Sequence, residues 1–213
     1  MDKYFLMMAE RFPQLSPLVP QLTAVAADLA ERFRQNGTLF IAGNGGSAAD
    51  AEHICGELLK GFKSMRSLSA ADREEFCRTA GESGLAIADS LQYGLRAVSL
   101  LSHPALTSAF GNDVDPQLAF AQQLWALGRE NDAVIGISTG GNAENIRKMF
   151  IAARVKKIKT ILLTGAKNGC CREFADEVIA VPDTETYRIQ ELHLPVYHAL
   201  CLTLESCFFE MME

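Results

Sequence analysis

The chain has 213 residues, 48% of them hydrophobic and 22% charged, with a net charge of −6 and a pI near 5.3. At roughly 150 residues per domain this suits a single domain that buries its own core without disulfide or metal staples. The acidic balance argues against nucleic acid or an anionic membrane surface as main partner; no apolar run approaches the roughly 18 residues of a bilayer span, and the N-terminus has no cleavage signal.

Residues 18–36 (LVPQLTAVAADLAERFRQN) space their apolar side chains by three and four, which predicts an amphipathic helix, and Asn36-Gly37 closes it, with Gly37 suited to the C-cap. The segment up to residue 36 is thus a helical extension. Residues 38–43 (TLFIAG) form a short β-rich run with little polar alternation, as expected of a strand covered on both faces. A glycine-rich turn then leads into a helix over 47–62. Residues 63–95 are polar and charged and lack a strong strand; Ser69 followed by Asp72 marks the start of a short helix. This segment reads as an insertion or a lid over one end of a sheet. Residues 96–101 (RAVSLL), 133–138 (AVIGIS), 159–165 (KTILLTG) and 176–182 (DEVIAVP) read as further buried strands, with a helix over 143–153. Residues 187–212 carry one long helical pattern, in which Pro195 marks either a kink or the true first turn. Strands alternating with helices predict a parallel sheet with helices on both faces, and ligands in such sheets bind beyond the carboxyl ends of the strands.

Six cysteines (Cys55, Cys77, Cys170, Cys171, Cys201, Cys207) match neither zinc-finger nor CxxC spacing. They read as reduced, small hydrophobic residues of a cytoplasmic protein.

Four motifs carry chemistry. Gly43-Asn44-Gly45-Gly46-Ser47 joins a buried strand to a helix, so its glycines let backbone approach an anion at a helix N-terminus and Ser47 adds a hydroxyl. It has neither the Lys-Ser/Thr of a phosphate-binding P-loop nor dinucleotide spacing, and alone it equally suits a tight turn without ligand. Ser138-Thr139-Gly140-Gly141-Asn142 occupies the same position after a second strand, and two such corners at neighbouring strand ends favour an anion cradle. His53 and Glu57 stand four apart on the helix after the first corner and share a face; in isolation the pair suits a solvated surface as well. In RIQELHLPVYH, Gln190 and His198 share a broad helix face while His193 points elsewhere, and either histidine alone suits a core or surface position.

GNGGSAADAEH, the His53/Glu57 pair, ISTGGN and RIQELH…H together resemble the phosphoheptose isomerases, single sugar-isomerase (SIS) domains acting on sedoheptulose 7-phosphate. The likeness runs from about residue 18 to the C-terminus, with the motifs in the family's order. It implies an α/β fold, a three-layer sandwich around a five-stranded parallel sheet in flavodoxin-like order, with the whole of 1–213 as one SIS domain. It implies a homotetramer with sites at subunit interfaces, and a sugar phosphate as substrate. By resemblance, Ser47, Ser138 and Thr139 hold phosphate with the backbone of Gly45, Gly46, Gly140 and Asn142 around them, and Asn44, Asn112, Asp113 and Gln190 line the sugar site. Glu57 and His198 are the implied acid–base pair, and His53, Glu57, Gln190 and His198 the implied zinc set. Aldose–ketose isomerisation needs a base at the carbon beside the carbonyl and an acid that moves protons between O1 and O2, tasks that suit a carboxylate and an imidazole. A zinc ion would polarise the carbonyl.

Three features depart from the family pattern. Gly140 and Ala143 stand where serines are expected, Tyr187 replaces an acidic residue before RIQ, and 63–95 is longer than expected. Two other functions fit the superfamily: a non-catalytic SIS module that binds a phosphosugar or a replication-initiator partner, and an enzyme of amino or N-acyl sugars such as an etherase. Glu57 together with His198 favours the isomerase.

Overall fold

The structure is a computed structural model that describes residues 2–209. Its centre is a five-stranded, all-parallel sheet in the order β2-β1-β3-β4-β5. The strands are β1 (Leu39–Gly43), β2 (Ala97–Ser99), β3 (Ala133–Ile137), β4 (Lys159–Thr164) and β5 (Glu177–Ala180). This is the flavodoxin-like order expected, and the chain reverses its direction of winding between β1 and β3, where ligands of such sheets bind. β1 and β3 run level: Leu39 pairs with Ala133 and Gly43 with Ile137.

Side chains alternate across each strand, and both faces are apolar because both are covered. Leu39, Ile41, Ile135, Ile137, Ile161 and Leu163 face a layer made by α1 (Lys3–Arg11), α2 (Val19–Arg34), α3 (Gly46–Leu59) and α8 (Thr186–Phe209). Phe40, Ala42, Val134 and Leu162 face α6 (Ala119–Leu127) and α7 (Glu144–Val155). Each fully buried large side chain contributes on the order of 2 kcal/mol of transfer free energy, and Phe5, Leu22, Leu58 and Phe150 are all completely enclosed.

Two sequence expectations are corrected here. The left-handed residue after α2 is Asn36, with φ 61°, one position before the glycine expected to cap it; an Asn tolerates this backbone through its short polar side chain. Pro195 lies inside α8, which begins nine residues earlier at Thr186, so it is not the first turn. Residues 210–212, included in the predicted helix, lie outside the described residues. Two further helices, α5 (Pro104–Asp113) and α6, were not anticipated.

The 63–95 segment contains α4 (Ala70–Ala88), capped at Ser69, whose side chain accepts from the Asp72 amide as expected. α4 breaks at Ala80 and Gly81, the latter at φ 57°, and buries only Gly84 and Ala88. It therefore stands off the body as an arm. Its root lies where the Leu95 amide donates to the Leu58 carbonyl, at the end of α3 and the start of β2. That is the sheet end opposite the glycine corners, so the arm does not cover them.

Candidate active site

The two glycine corners meet. Because Gly43 and Ile137 end level, α3 and α7 begin side by side. Asn44 and Asn145 clasp them together, each amide donating to the other's carbonyl oxygen, at 3.0 and 2.8 Å. Gly45 takes φ 56°, a conformation that disfavours any side chain. At Gly46 a Cβ would collide with the Gln190 amide, which fixes Gln190 beside the first corner. No side chain caps α3, so its N-terminal partial positive charge is left for a ligand. Ser47 is buried in its first turn. At the second corner the Ser138 hydroxyl accepts from the Ala143 amide at 3.4 Å and keeps its own proton to donate. The Thr139 carbonyl is held by the Gly165 amide, and Asn142 ties the loop by accepting from the Cys170 amide and donating to the Gly140 carbonyl. Nothing crowds Gly140, so a serine would fit there and its hydroxyl is simply missing.

Below the corners, α3 and α8 face each other along a polar seam. Asp50, His53 and Glu57 fall at spacings of three and four and so share one face of α3. His53 Nε2 lies 3.1 Å from Glu57 Oε1, and its Nδ1 lies 3.0 Å from the Tyr197 hydroxyl, which donates to Asp50 at 3.3 Å. Burial pushes the Asp50 carboxyl up, against the Tyr197 hydrogen bond and the His53 charge. The Tyr197 hydroxyl is also pushed up, chiefly by burial. His198 packs edge-on to His53, Tyr197 and Phe62, with centroids 5.0, 5.1 and 5.4 Å apart. Burial, with the charges of His53 and Arg11, holds His198 below the usual imidazole range, while Glu57 opposes this. His198 is accordingly a neutral imidazole at neutral pH, and its Nε2 is buried without a partner among the described residues. Glu57 is largely enclosed, at 13% side-chain exposure, and its second oxygen takes Lys60 at 3.1 Å.

The structure thus brings His53, Glu57 and His198 together, and Asn44, Gly46, Ser47 and Gln190 with Ser138 and Thr139 at the joined corners. It does not bring Asn112 and Asp113 there. They end α5 and bond to each other, whereas the cleft beside Asn44 is lined by the opposite end of α5, at Pro104, Thr107 and Ser108. Tyr187 is exposed and accepts from Arg188, away from the seam. Sequence reasoning missed Asn145, Asp50 and Tyr197. The α3 periodicity offered a signal for Asp50; Asn145 and Tyr197 act only through tertiary contacts.

Of the four expected zinc ligands, the two imidazoles and the carboxylate gather, and the orphaned His198 Nε2 suits a metal in kind. Gln190 lies instead against Gly46, about 12 Å along α8 from His198 at 1.5 Å per residue. Among the described residues no three His, Cys, Asp or Glu side chains are close enough to hold an ion as they stand.

No protein-family model matches the chain. It is 35% identical over 191 residues to a phosphoheptose isomerase of Roseiflexus sp. (strain RS-1), spanning 90% of this chain and 84% of that protein. It is 36% identical over 193 residues to a phosphoheptose isomerase of Trichlorobacter lovleyi, spanning 89% and 85%. Among solved structures, a phosphoheptose isomerase from Neisseria gonorrhoeae superposes with a TM-score of 0.73 at 28% identity, covering 96% of both chains. The paired corners, the α3–α8 seam and these relatives agree: the chain belongs to the phosphoheptose isomerase family.

Proposed function

We propose that this protein is a phosphosugar isomerase that interconverts sedoheptulose 7-phosphate and D-glycero-D-manno-heptose 7-phosphate through an enediol. The observation that carries the reading is the meeting of Glu57, His53 and His198 on one seam beneath two joined helix N-termini. The phosphate dianion sits at the starts of α3 and α7, with the hydroxyls of Ser47, Ser138 and Thr139 as donors and Asn44 and Gln190 beside the sugar. His53 lies about 10 Å along α3 from Gly46, a span that suits an extended chain of several carbons better than a triose.

The Glu57 carboxylate removes the proton from the carbon beside the carbonyl, and the electron pair moves to form the enediol. His198, neutral and therefore able to give at one nitrogen and take at the other, carries the proton between O1 and O2. Glu57 then returns its proton to the adjacent carbon. The Asp50–Tyr197–His53 chain orients the imidazole next to Glu57. Where zinc is bound, His53, Glu57 and His198 would hold it, with Gln190 too far along α8 to join them as the chain stands, and it would supply Lewis-acid polarisation of the carbonyl. A homotetramer in the cytoplasm belongs to the same proposal; the described cysteines are all free, and no described helix is long and apolar enough to cross a membrane.

The test is a screen of the purified protein against C5 to C7 ketose phosphates in D2O, with added zinc and after chelation. Turnover is expected to be best on the heptose phosphate and to place solvent deuterium on the carbon beside the new carbonyl. Absence of turnover across the panel under both conditions would refute the assignment.

A further inference from the structure

Glu57 and His198 belong to different helices, so their mutual geometry depends on what holds α3 against α8. One cluster outside the seam does this. Arg66 and Glu205 form an ion pair at 2.8 Å, with side-chain exposures of 0% and 2%. Arg66 Nε donates to Glu205, one terminal nitrogen donates to the Leu58 carbonyl at 2.8 Å, and the other to the carbonyl of Glu57 itself at 3.2 Å. Glu205 also accepts from the Phe62 and Lys63 amides, each at 2.8 Å. A cation thus closes the C-terminal end of α3, where helix carbonyls lack partners and the dipole is negative. The anion it pairs with lies seven residues, two turns, beyond His198 on the same side of α8.

A second observation is independent of these contacts. Arg66 has φ 50°, in the left-handed region that side chains other than glycine, Asn and Asp avoid. Such strain persists only where the surroundings over-determine it, and it concentrates at functional positions. Here the Arg66 carbonyl is held by the Tyr93 amide and its guanidinium stacks over Phe209 at 4.6 Å. The pair is also more than a fastening would require, because a buried ion pair contributes little net stability relative to apolar packing.

We propose that Arg66 and Glu205 are positioning residues for the isomerisation: their ion pair pins the carbonyl end of α3 to α8 and thereby sets the placement of the Glu57 carboxylate relative to the His198 imidazole. The proposal rests on the assignment of Glu57 and His198 as the acid–base pair. It requires no contact with substrate, so the phosphate end should be unaffected.

The experiment compares wild type, Glu57→Gln, Arg66→Lys, Arg66→Met and the double variant Arg66→Met/Glu205→Gln in heptose-phosphate isomerisation, with cooperative thermal unfolding and binding of inorganic phosphate measured alongside. The double variant leaves no unpaired buried charge. Arg66→Lys keeps the charge and the fold while losing the three-way fork. Misplacement on the ångström scale predicts a fall in kcat of about a hundredfold in the double variant, with KM and phosphate affinity within about threefold of wild type, and a partial return in Arg66→Lys relative to Arg66→Met. Should the double variant not fold, Arg66→Lys carries the same test through its kcat-against-KM split. Folded variants with wild-type kcat, or with kcat, KM and phosphate affinity all shifted together, overturn the positioning role. Undiminished turnover in Glu57→Gln overturns the acid–base assignment instead, and the positioning role with it.

Discussion

α8 and α4 are both long helices of this chain, and they are held in opposite ways. α8 buries ten of its 24 residues against α1, α2, α3 and the sheet, and carries Gln190, His193, Tyr197, His198 and Glu205. α4 buries two of 19, breaks at Gly81, and is tied mainly to its own base through Ser69, Asp72, Tyr93 and the Arg73–Asp89 pair. Most helical stability in proteins comes from packing of an apolar face, so a helix with little to pack on is kept by caps and local ion pairs. The comparison teaches where precision resides. The reacting groups stand on helices that the core fixes, whereas the arm over 70–88 has little packing of its own.

The largest difference between the two regions should appear in catalysis. Glu57→Gln and His198→Ala are each expected to lower kcat by roughly 10²–10⁴-fold with unchanged circular dichroism, while removal of an arm charge, Glu75→Gln, leaves the rate as it is. Equal effects at the seam and the arm would erase the distinction. Stability should divide the same way. Leu204 is fully enclosed and Ile87 is half exposed. In urea unfolding Leu204→Ala should cost about 2–5 kcal/mol, and Ile87→Ala under about 0.5 kcal/mol. Hydrogen exchange should likewise be much faster over 70–88 than over 196–204.

A smaller effect sharpens the picture of α8 itself. His193 is fully buried, and burial pushes its pKa down to about 4, opposed only in part by the Thr164 backbone. The imidazole is therefore neutral in the folded chain and takes a proton more readily once unfolded. Its contribution is fully present above the unfolded pKa near 6.5 and is lost as pH falls through that value toward 4, where the difference reaches about 3 kcal/mol. His193→Leu should flatten the fall in unfolding free energy between pH 6.5 and 4. An unchanged slope would show that the imidazole does not set the acid sensitivity.

What could be read from the chain alone follows from how local each feature is. The five strands are legible because coverage on both faces leaves near-continuous apolar runs, and the 2-1-3-4-5 order followed from the family likeness. Ser69 and Asp72 announce the arm's start three residues apart. His53 and Glu57 are legible as an i,i+4 pair, and Gln190 and His198 as a shared face. The helix α5 is not, because it buries none of its residues and so shows no amphipathic stripe. Glu205 and Arg66 read as ordinary charges in sequence; only the meeting of α3 with α8, some 140 residues apart along the chain, reveals them as a buried pair. Asn112 and Asp113 had been drawn to the sugar site by likeness of motif, and within one chain they stay at the far end of α5.

The level ending of β1 and β3 constrains how this chain can vary. Two helix N-termini aim their dipoles at one point only while Gly43 and Ile137 stay opposite each other. Deleting a single residue from either strand would lower one N-terminus by about 3.3 Å and turn that strand's apolar side chains to the wrong layer. Strand length here is therefore set by charge focusing as well as by packing, a constraint that the other end of the sheet, where the arm is rooted, does not share.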